Sequence, residues 1–291
     1  MIGVAALTLL LVNVPFSHSC DEVEQVLICP NLPPYFSPGY LTLVMYLNGV
    51  GEINSTVFHS SNLTSVTTLR IDNAGVTGIA EGAFGSFQNL RGISLRRNAL
   101  TQMNPKWFGR PAVLSELSLA ENQIEAVNES MLTGLINLTK LSLNKNRIRT
   151  IETNSFQSQT DLAELDLSEN RMTRVSPQVF RSLRSTRIRL DGNPWDCSCG
   201  AEDFVVFLKD LQSRSLLDRQ TAVTCESPPS LRGRPVWDVS VCVTSPTPGP
   251  PSASPTVQLR PTDALTTVPA SSGTSGSSFI SQVPDSPANL M

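Results

Sequence analysis

Residues 114–124 read LSELSLAENQI and residues 138–148 read LTKLSLNKNRI. The two stretches share their leucines, a serine and an asparagine, and the second follows the first at an interval of 24 residues. The same frame recurs as VTTLRIDNAGV (66–76), LRGISLRRNAL (90–100) and LAELDLSENRM (162–172). A fixed period of this length marks stacked supersecondary units rather than one globular core. A degenerate earlier copy is centred on Met45 and Leu47, and a last one, a residue shorter, runs through Ile188, Leu190 and Asn193 into Pro194.

Each position of the frame has a physical cause. Leu117 and Leu119, two residues apart, point to one side of a short strand, and the residues flanking them point to the other. One side is core and the other is solvent. Asn98, Asn122, Asn146, Asn170 and Asn193 stand where the chain leaves the strand, and an amide there satisfies backbone groups buried between coils. Ala74 takes that place in the first regular copy. The return path repeats as Ile79, Met103, Val127, Ile151 and Val175, each followed five residues later by Phe84, Phe108, Leu132, Phe156 and Phe180. These form an expected apolar spine beneath the convex wall. No coil can bury such faces alone, so neighbours stack into a solenoid. The expected fold is a horseshoe with short parallel strands on its concave side, a mostly irregular or short-helical convex side and capped ends.

A stack has two open apolar ends, and the six cysteines sit where caps are needed: Cys20 and Cys29, then Cys197, Cys199, Cys225 and Cys242. An even count in two terminal groups points to disulfides in an oxidising compartment. A zinc site fits poorly, because Cys-x-Cys is tighter than usual ligand spacing and His59 is the one histidine after residue 19. After NPWDCSCG (193–200), the stretch 201–213 carries Phe204, Phe207, Leu208 and Leu211 at helical spacing. That helix can cover the last coil. Sequence alone permits three pairings of the last four cysteines.

The frames fit LxxLxLxxNxL, and NPWDCSC with later single cysteines and Pro-Pro-Ser-Leu-Arg-Gly (228–233) between them is similar to a known C-terminal flank. The chain thus resembles extracellular leucine-rich-repeat proteins with cysteine-rich flanking caps. The resemblance implies the pairs Cys197–Cys225 and Cys199–Cys242, with Phe207 where members often carry tryptophan. CDEVEQVLIC (20–29) departs from the common four-cysteine N-terminal cap, and its two cysteines most simply make Cys20–Cys29. The resemblance covers residues 20–243. Within the family, this two-cysteine start is similar to secreted plasma glycoproteins, which implies a circulating protein in inflammatory or transforming-growth-factor-β-type signalling.

Outside the repeats, residues 1–19 (MIGVAALTLLLVNVPFSHS) read as a secretory signal peptide with small residues before Cys20. The expected organisation is this leader, a cap over 20–41, about seven repeats of 23–24 residues over 42–193, a second cap over 194–243 and a Ser/Thr/Pro-rich stalk over 244–291. No apolar run follows the stalk, so a secreted form without membrane insertion is expected. The alternative is the ectodomain or a truncated isoform of a cell-surface adhesion or immune-recognition receptor, because a stalk ordinarily separates a binding head from a surface. Sequons at Asn54, Asn62, Asn128 and Asn137 all fall in return segments, so their glycans would leave the strand face open.

Catalysis is not expected. His59 reads as a solvated loop residue, and Glu164 and Asp166 lie on an open sheet where water prevents strong tuning of a carboxyl pair. No cofactor or metal is implied. A net charge of -3 supplies no basic field for nucleic acid. What remains is the exposed strand face as a surface for an extracellular or cell-surface protein. Its candidate residues are Tyr46, Arg70, Arg96, Arg97, Ser118, Glu121, Lys140, Ser142, Lys145, Glu164, Asp166 and Arg189. Strands about 4.8 Å apart make residues of one column lateral neighbours. Signs alternate from one coil to the next, so each charge is expected to meet opposite charges on both sides.

Overall fold

The computed structural model describes residues 20–217 and 223–240. The chain divides into two units, 1–243 and 244–291, and every described residue belongs to the first. The expected leader, the stalk and Cys242 lie outside the described residues.

Nine strands form one sheet in chain order: β1 (Asp21–Val23), β2 (Val26–Cys29), β3 (Thr42–Met45), β4 (Thr68–Arg70), β5 (Gly92–Ser94), β6 (Glu116–Ser118), β7 (Lys140–Ser142), β8 (Glu164–Asp166) and β9 (Arg187–Arg189). Only the β1/β2 hairpin is antiparallel; every later pair is parallel, joined through a full coil. Leu117, Leu141 and Leu165 lie in register and are each 1% exposed. The leucines are fixed because each coil presents the same core face to the next.

The earliest copy sits differently from expectation. Thr42 pairs with Thr68 and Val44 with Arg70, so its core residues are Leu43 and Met45, two positions before the assigned centre. The interval here is 26 residues, and a fixed 24-residue register slides by two across it. Strand alternation has period two, so the faces themselves are unchanged.

The asparagine ladder forms as the frame requires. In Asn122, Nδ2 donates to the carbonyls of Leu95 (2.9 Å) and Leu119 (3.0 Å), while Oδ1 accepts from the Leu100 amide (3.0 Å). Asn98, Asn146, Asn170 and Asn193 make the equivalent bonds. Each buried amide joins two coils, and leaving its partners unsatisfied would cost about 1–3 kcal/mol.

The aromatic column runs further than the repeats suggest. Ring centroids are 6.1 Å apart in Phe36/Phe58, 6.0 Å in Phe58/Phe84 and 5.7 Å in Phe84/Phe108. Leu132 then replaces an aromatic, at the end of the short helix α1 (Glu129–Leu132). The column resumes in Phe156/Phe180 at 6.3 Å and passes to Phe207 of the cap helix. Beside Leu132, two polar residues are buried in otherwise apolar columns. Ser155 Oγ donates to the Val127 carbonyl (3.0 Å) and Gln159 Nε2 to that of Leu132 (3.1 Å).

The cap helix α2 (Glu202–Ser213) buries Phe204, Val205, Leu208 and Leu211. Phe207 is only partly buried, because it lies over Phe180 at the helix flank, and Val205 fills the interior instead. Disulfides join Cys20 to Cys29 and Cys197 to Cys225. Cys199 is also disulfide-bonded, and Cys242, its expected partner, lies outside the described residues. Asp196 ties the cap to the last coils. Its Oδ1 accepts from the Ser198 amide and Ser227 Oγ (both 3.0 Å), and its Oδ2 from Arg174 Nη2 (2.6 Å). These bonds, the Ser198 amide first, hold its carboxyl well below the usual carboxylate range.

Candidate protein-binding face

The open side of the sheet has two chemically different parts. At its N-terminal end, Val23 and Val26 are directly opposed on the hairpin, and Ile28 stands beside Val44. Alternation turns Leu27, Leu43 and Met45 inward and these residues outward. Tyr46 follows Val44 by two residues, is 60% exposed and heads the column of Asp72 and Arg96. It projects from the open face, next to an apolar patch that the repeat pattern did not announce because the patch precedes the regular frames.

From β4 onward the face is charged. Arg70 Nη2 reaches Asp72 Oδ2 at 3.0 Å, and Asp72 Oδ1 accepts from Ser94 Oγ (2.6 Å) and the Arg96 amide (2.9 Å). Glu121 takes both Arg96 and Arg97, each guanidinium Nε lying 2.8 Å from one carboxylate oxygen. Bonds from Arg97 and then Arg96 hold the Glu121 carboxyl below its ordinary range. Further along, Lys140 reaches Glu164 at 3.1 Å, Arg187 reaches it at 4.0 Å, and Arg189 meets Asp166 at 3.3 Å. Lys145 and Glu169 stand 3.6 Å apart.

This is not the continuous lattice expected from alternating signs. Lys140 and Lys145 each pair with the following coil alone, and Glu116 has no ion pair among the described residues. For Lys145 the reason is competition: Glu121 has two carboxylate oxygens, and the two arginines of the preceding coil occupy both. The charges therefore gather into one cluster around Glu121 and another around Glu164 and Asp166. Ser94, Ser118 and Ser142 run between them, lining a shallow depression of about 180 Å³ with Arg70 and Lys140 at its rim. A second depression, of about 230 Å³, lies over Ser142, Asp166 and Arg189.

The outermost column is not part of the strands. Arg97, Glu121, Lys145 and Glu169 have φ of 57°, 56°, 55° and 52°, in the left-handed region. Their amides donate across to the carbonyls of Ala120, Asn144, Ser168 and Asp191 at 2.8–3.0 Å, so each coil turns there while staying bonded to the next. Asn73 occupies this position one coil earlier with φ 55°, and Gly192 occupies it in the last coil. Those residue types are the ones that enter the left-handed region readily, and they were the available sequence signal. At Gly192 a side chain is also excluded by space, since a Cβ would lie 2.8 Å from Glu169 Cγ. Four long charged residues occupy that conformation at a cost of about 1 kcal/mol each.

Among the residues flanking the strand leucines, which alternation sets on the open side, Gly92, Ala120 and Ser168 are buried. Ser168 stays on the open side but lies against Asp166, to whose Oδ1 its amide and hydroxyl both donate. Every candidate residue is at least partly exposed. The sequon asparagines lie off the sheet: Asn54, Asn62 and Asn137 are exposed, and Asn128 caps α1 by accepting from the Met131 amide. His59 is an exposed loop residue. Among the described residues no helix is long and apolar enough to cross a membrane, and no group of three or more His, Cys, Asp or Glu stands close enough to hold a metal ion.

Comparison with known proteins agrees with this architecture. The leucine rich repeat family profile matches residues 64–124 and 136–194, and the leucine rich repeat C-terminal domain profile matches 222–240. No curated protein matches the sequence. Among solved structures, human 5T4 (Wnt-activated inhibitory factor 1, trophoblast glycoprotein) superposes with a TM-score of 0.60 at 21% identity, covering 76% of this chain and 96% of that one. At that identity the likeness is one of fold. The protein is a leucine-rich-repeat solenoid closed by a leucine-rich-repeat C-terminal domain.

Proposed function

We propose that this chain is a secreted, glycosylated binding protein that takes a protein partner on the concave strand face, without catalysis. The observation that carries the proposal is the face itself: an apolar end at Ile28, Val44 and Tyr46 runs into two separate charge clusters, with a shallow serine-lined track between them. A partner that presents an apolar patch beside groups of both signs fits it, whereas a uniform polyanion such as nucleic acid meets Glu116, Glu121, Glu164 and Asp166. Exposed ion pairs contribute about 0–1 kcal/mol each, so exchanging them for a partner's groups costs the fold little.

The disulfides support an extracellular site of action. The two-cysteine start, most like that of leucine-rich alpha-2-glycoprotein, supports a role in inflammatory or transforming-growth-factor-β-type signalling. Glycans at Asn54, Asn62, Asn128 and Asn137 would leave the strand face clear. The Ser/Thr/Pro-rich composition of 244–291 supports a second reading, an adhesion or immune-recognition ectodomain similar in plan to platelet glycoprotein V or the variable lymphocyte receptors.

The test is affinity capture from native extracellular fluid with three forms of the mature chain: wild type, Arg96→Glu with Arg97→Glu, and Glu81→Lys with Lys106→Glu. The last pair swaps an exposed ion pair of 3.0 Å on the return side. Partners identified by mass spectrometry should be lost with the first variant and kept with the second. The opposite ranking removes the concave-face proposal.

A further inference from the structure

The N-terminal end of the solenoid carries a second surface, chemically unlike the charged face. β1 is the terminal strand of the nine-stranded sheet, so no described strand pairs with its outer edge. All three of its residues are exposed. An open edge offers unpaired backbone donors and acceptors to an incoming strand. The N-terminal end of the chain is rich in exposed apolar side chains. Of the seven large apolar side chains exposed among the described residues, five lie between positions 23 and 46: Val23, Leu32, Tyr35, Leu41 and Tyr46. Beside the edge a cavity of about 370 Å³ is walled by Glu22, Leu27, Pro33, Pro34 and Tyr35.

Charge selects the occupant. Residues 20–69 contain Asp21, Glu22, Glu24 and Glu52 and no lysine or arginine; the first basic side chain of that kind is Arg70. A second copy of this chain adding edge to edge would bring Asp21 and Glu22 against the same acids, and like charges facing across a strand pair are destabilising. An incoming strand with cations at the matching positions meets attraction instead.

Register sets the pattern it needs. Asp21 is opposite Ile28 and Val23 opposite Val26, so Asp21 and Val23 share the open side, while Glu22, opposite the buried Leu27, lies on the cavity side. An added strand therefore finds an acid and then an apolar residue on one side, and an acid beside an apolar cavity on the other.

We propose that the outer edge of β1 is a docking site for an extended segment of a partner protein that carries two adjacent cations, one on each side to meet Asp21 and Glu22, next to an apolar residue that meets Val23. The site adjoins the apolar end of the strand face on which the function above was proposed, and differs from it in using the outer backbone edge of β1.

The experiment uses the full mature chain and a synthetic eight-residue probe, Ser-Thr-Val-Lys-Lys-Val-Thr-Ser, with Ser-Thr-Lys-Val-Lys-Val-Thr-Ser, of the same composition but with both lysines on one side, as control. Binding is followed by fluorescence polarisation, and the site by hydrogen exchange. The peptide with adjacent lysines should bind and protect amides in residues 21–29, the alternating peptide should bind more weakly, and Asp21→Lys with Glu22→Lys should weaken binding by about tenfold or more, as for a rim of lost charge pairs. Arg96→Glu with Arg97→Glu should leave it unchanged, which separates this site from the charged face. Equal binding by both peptides, equal binding by the doubly reversed chain, or protection confined to β6 to β8 would overturn the proposal. So would sedimentation showing that this edge pairs with a second copy.

Discussion

Phe180 and Phe207 stack with centroids 5.3 Å apart and ring planes 9° apart, and through this contact the last coil hands its aromatic column to the cap helix. The cap is thus a continuation of the repeat stack by other means. Phe207→Ala should destabilise the chain by about 3 kcal/mol, the low end for a truncated aromatic because the ring is only partly buried. Urea denaturation should show the shift, with faster hydrogen exchange in α2. Unchanged exchange there would mean that the disulfides alone hold the cap.

Lys140 and Lys145 each face acids on both neighbouring coils but pair with one. Replacing both with glutamate sets like charges along β6, β7 and β8. The melting temperature should fall by about 2–4 °C per kcal/mol lost in a domain of this size, and added salt should recover most of the loss. A salt-independent loss would mean that packing, not charge, was disturbed.

Glu121 is the acid most tightly engaged on the face. Its carboxyl is lowered in the folded chain, so its contribution to stability is complete above the unfolded carboxylate value, about 4.3, and fades as pH falls through the lower folded value. Wild type should exceed Glu121→Gln in urea midpoint at pH 6, and the gap should close on acidification towards pH 3. A gap constant with pH would show that the two arginines do not sense this charge.

The left-handed column separates stability from binding. Lys145→Asn relieves the backbone at φ 55° and gives up one exposed pair of 3.6 Å. Stability should hold or rise by up to about 0.5 kcal/mol, while capture of the partner of the strand face weakens. A variant that loses stability would show that this lysine serves the fold.

Much of this architecture was legible because stacking is repetitive. A leucine at a fixed interval dictates the core, and the asparagine ladder and aromatic spine follow from the same period. Three things escaped for three reasons. Tyr46 was placed two residues out because the first interval is longer than the rest. The ion pairs could not be assigned from alternating signs, since Arg96 and Arg97 compete for one glutamate and leave Lys145 to Glu169. The apolar patch of Val26, Ile28 and Val44 precedes the regular frames, where periodicity gives no register to read.

The polar pair Ser155 and Gln159 has a consequence for how the chain finds its own order. Repeats this alike could stack one coil out of step during folding, with leucines on leucines and asparagines on asparagines, at little loss. Gln159 stands in the column of Phe87, Leu135 and Leu183, and its amide is satisfied by the carbonyls of Leu132 and Leu135. Moved by one coil, Ser155 and Gln159 would have to find those bonds against a different backbone, and burying an unsatisfied amide costs several times what a shifted leucine does. One coil boundary is thereby made unlike all the others, and the correct neighbour is recognised by it. Gln159→Leu should accordingly yield a chain that is no less stable once folded but that refolds with a larger misassembled fraction.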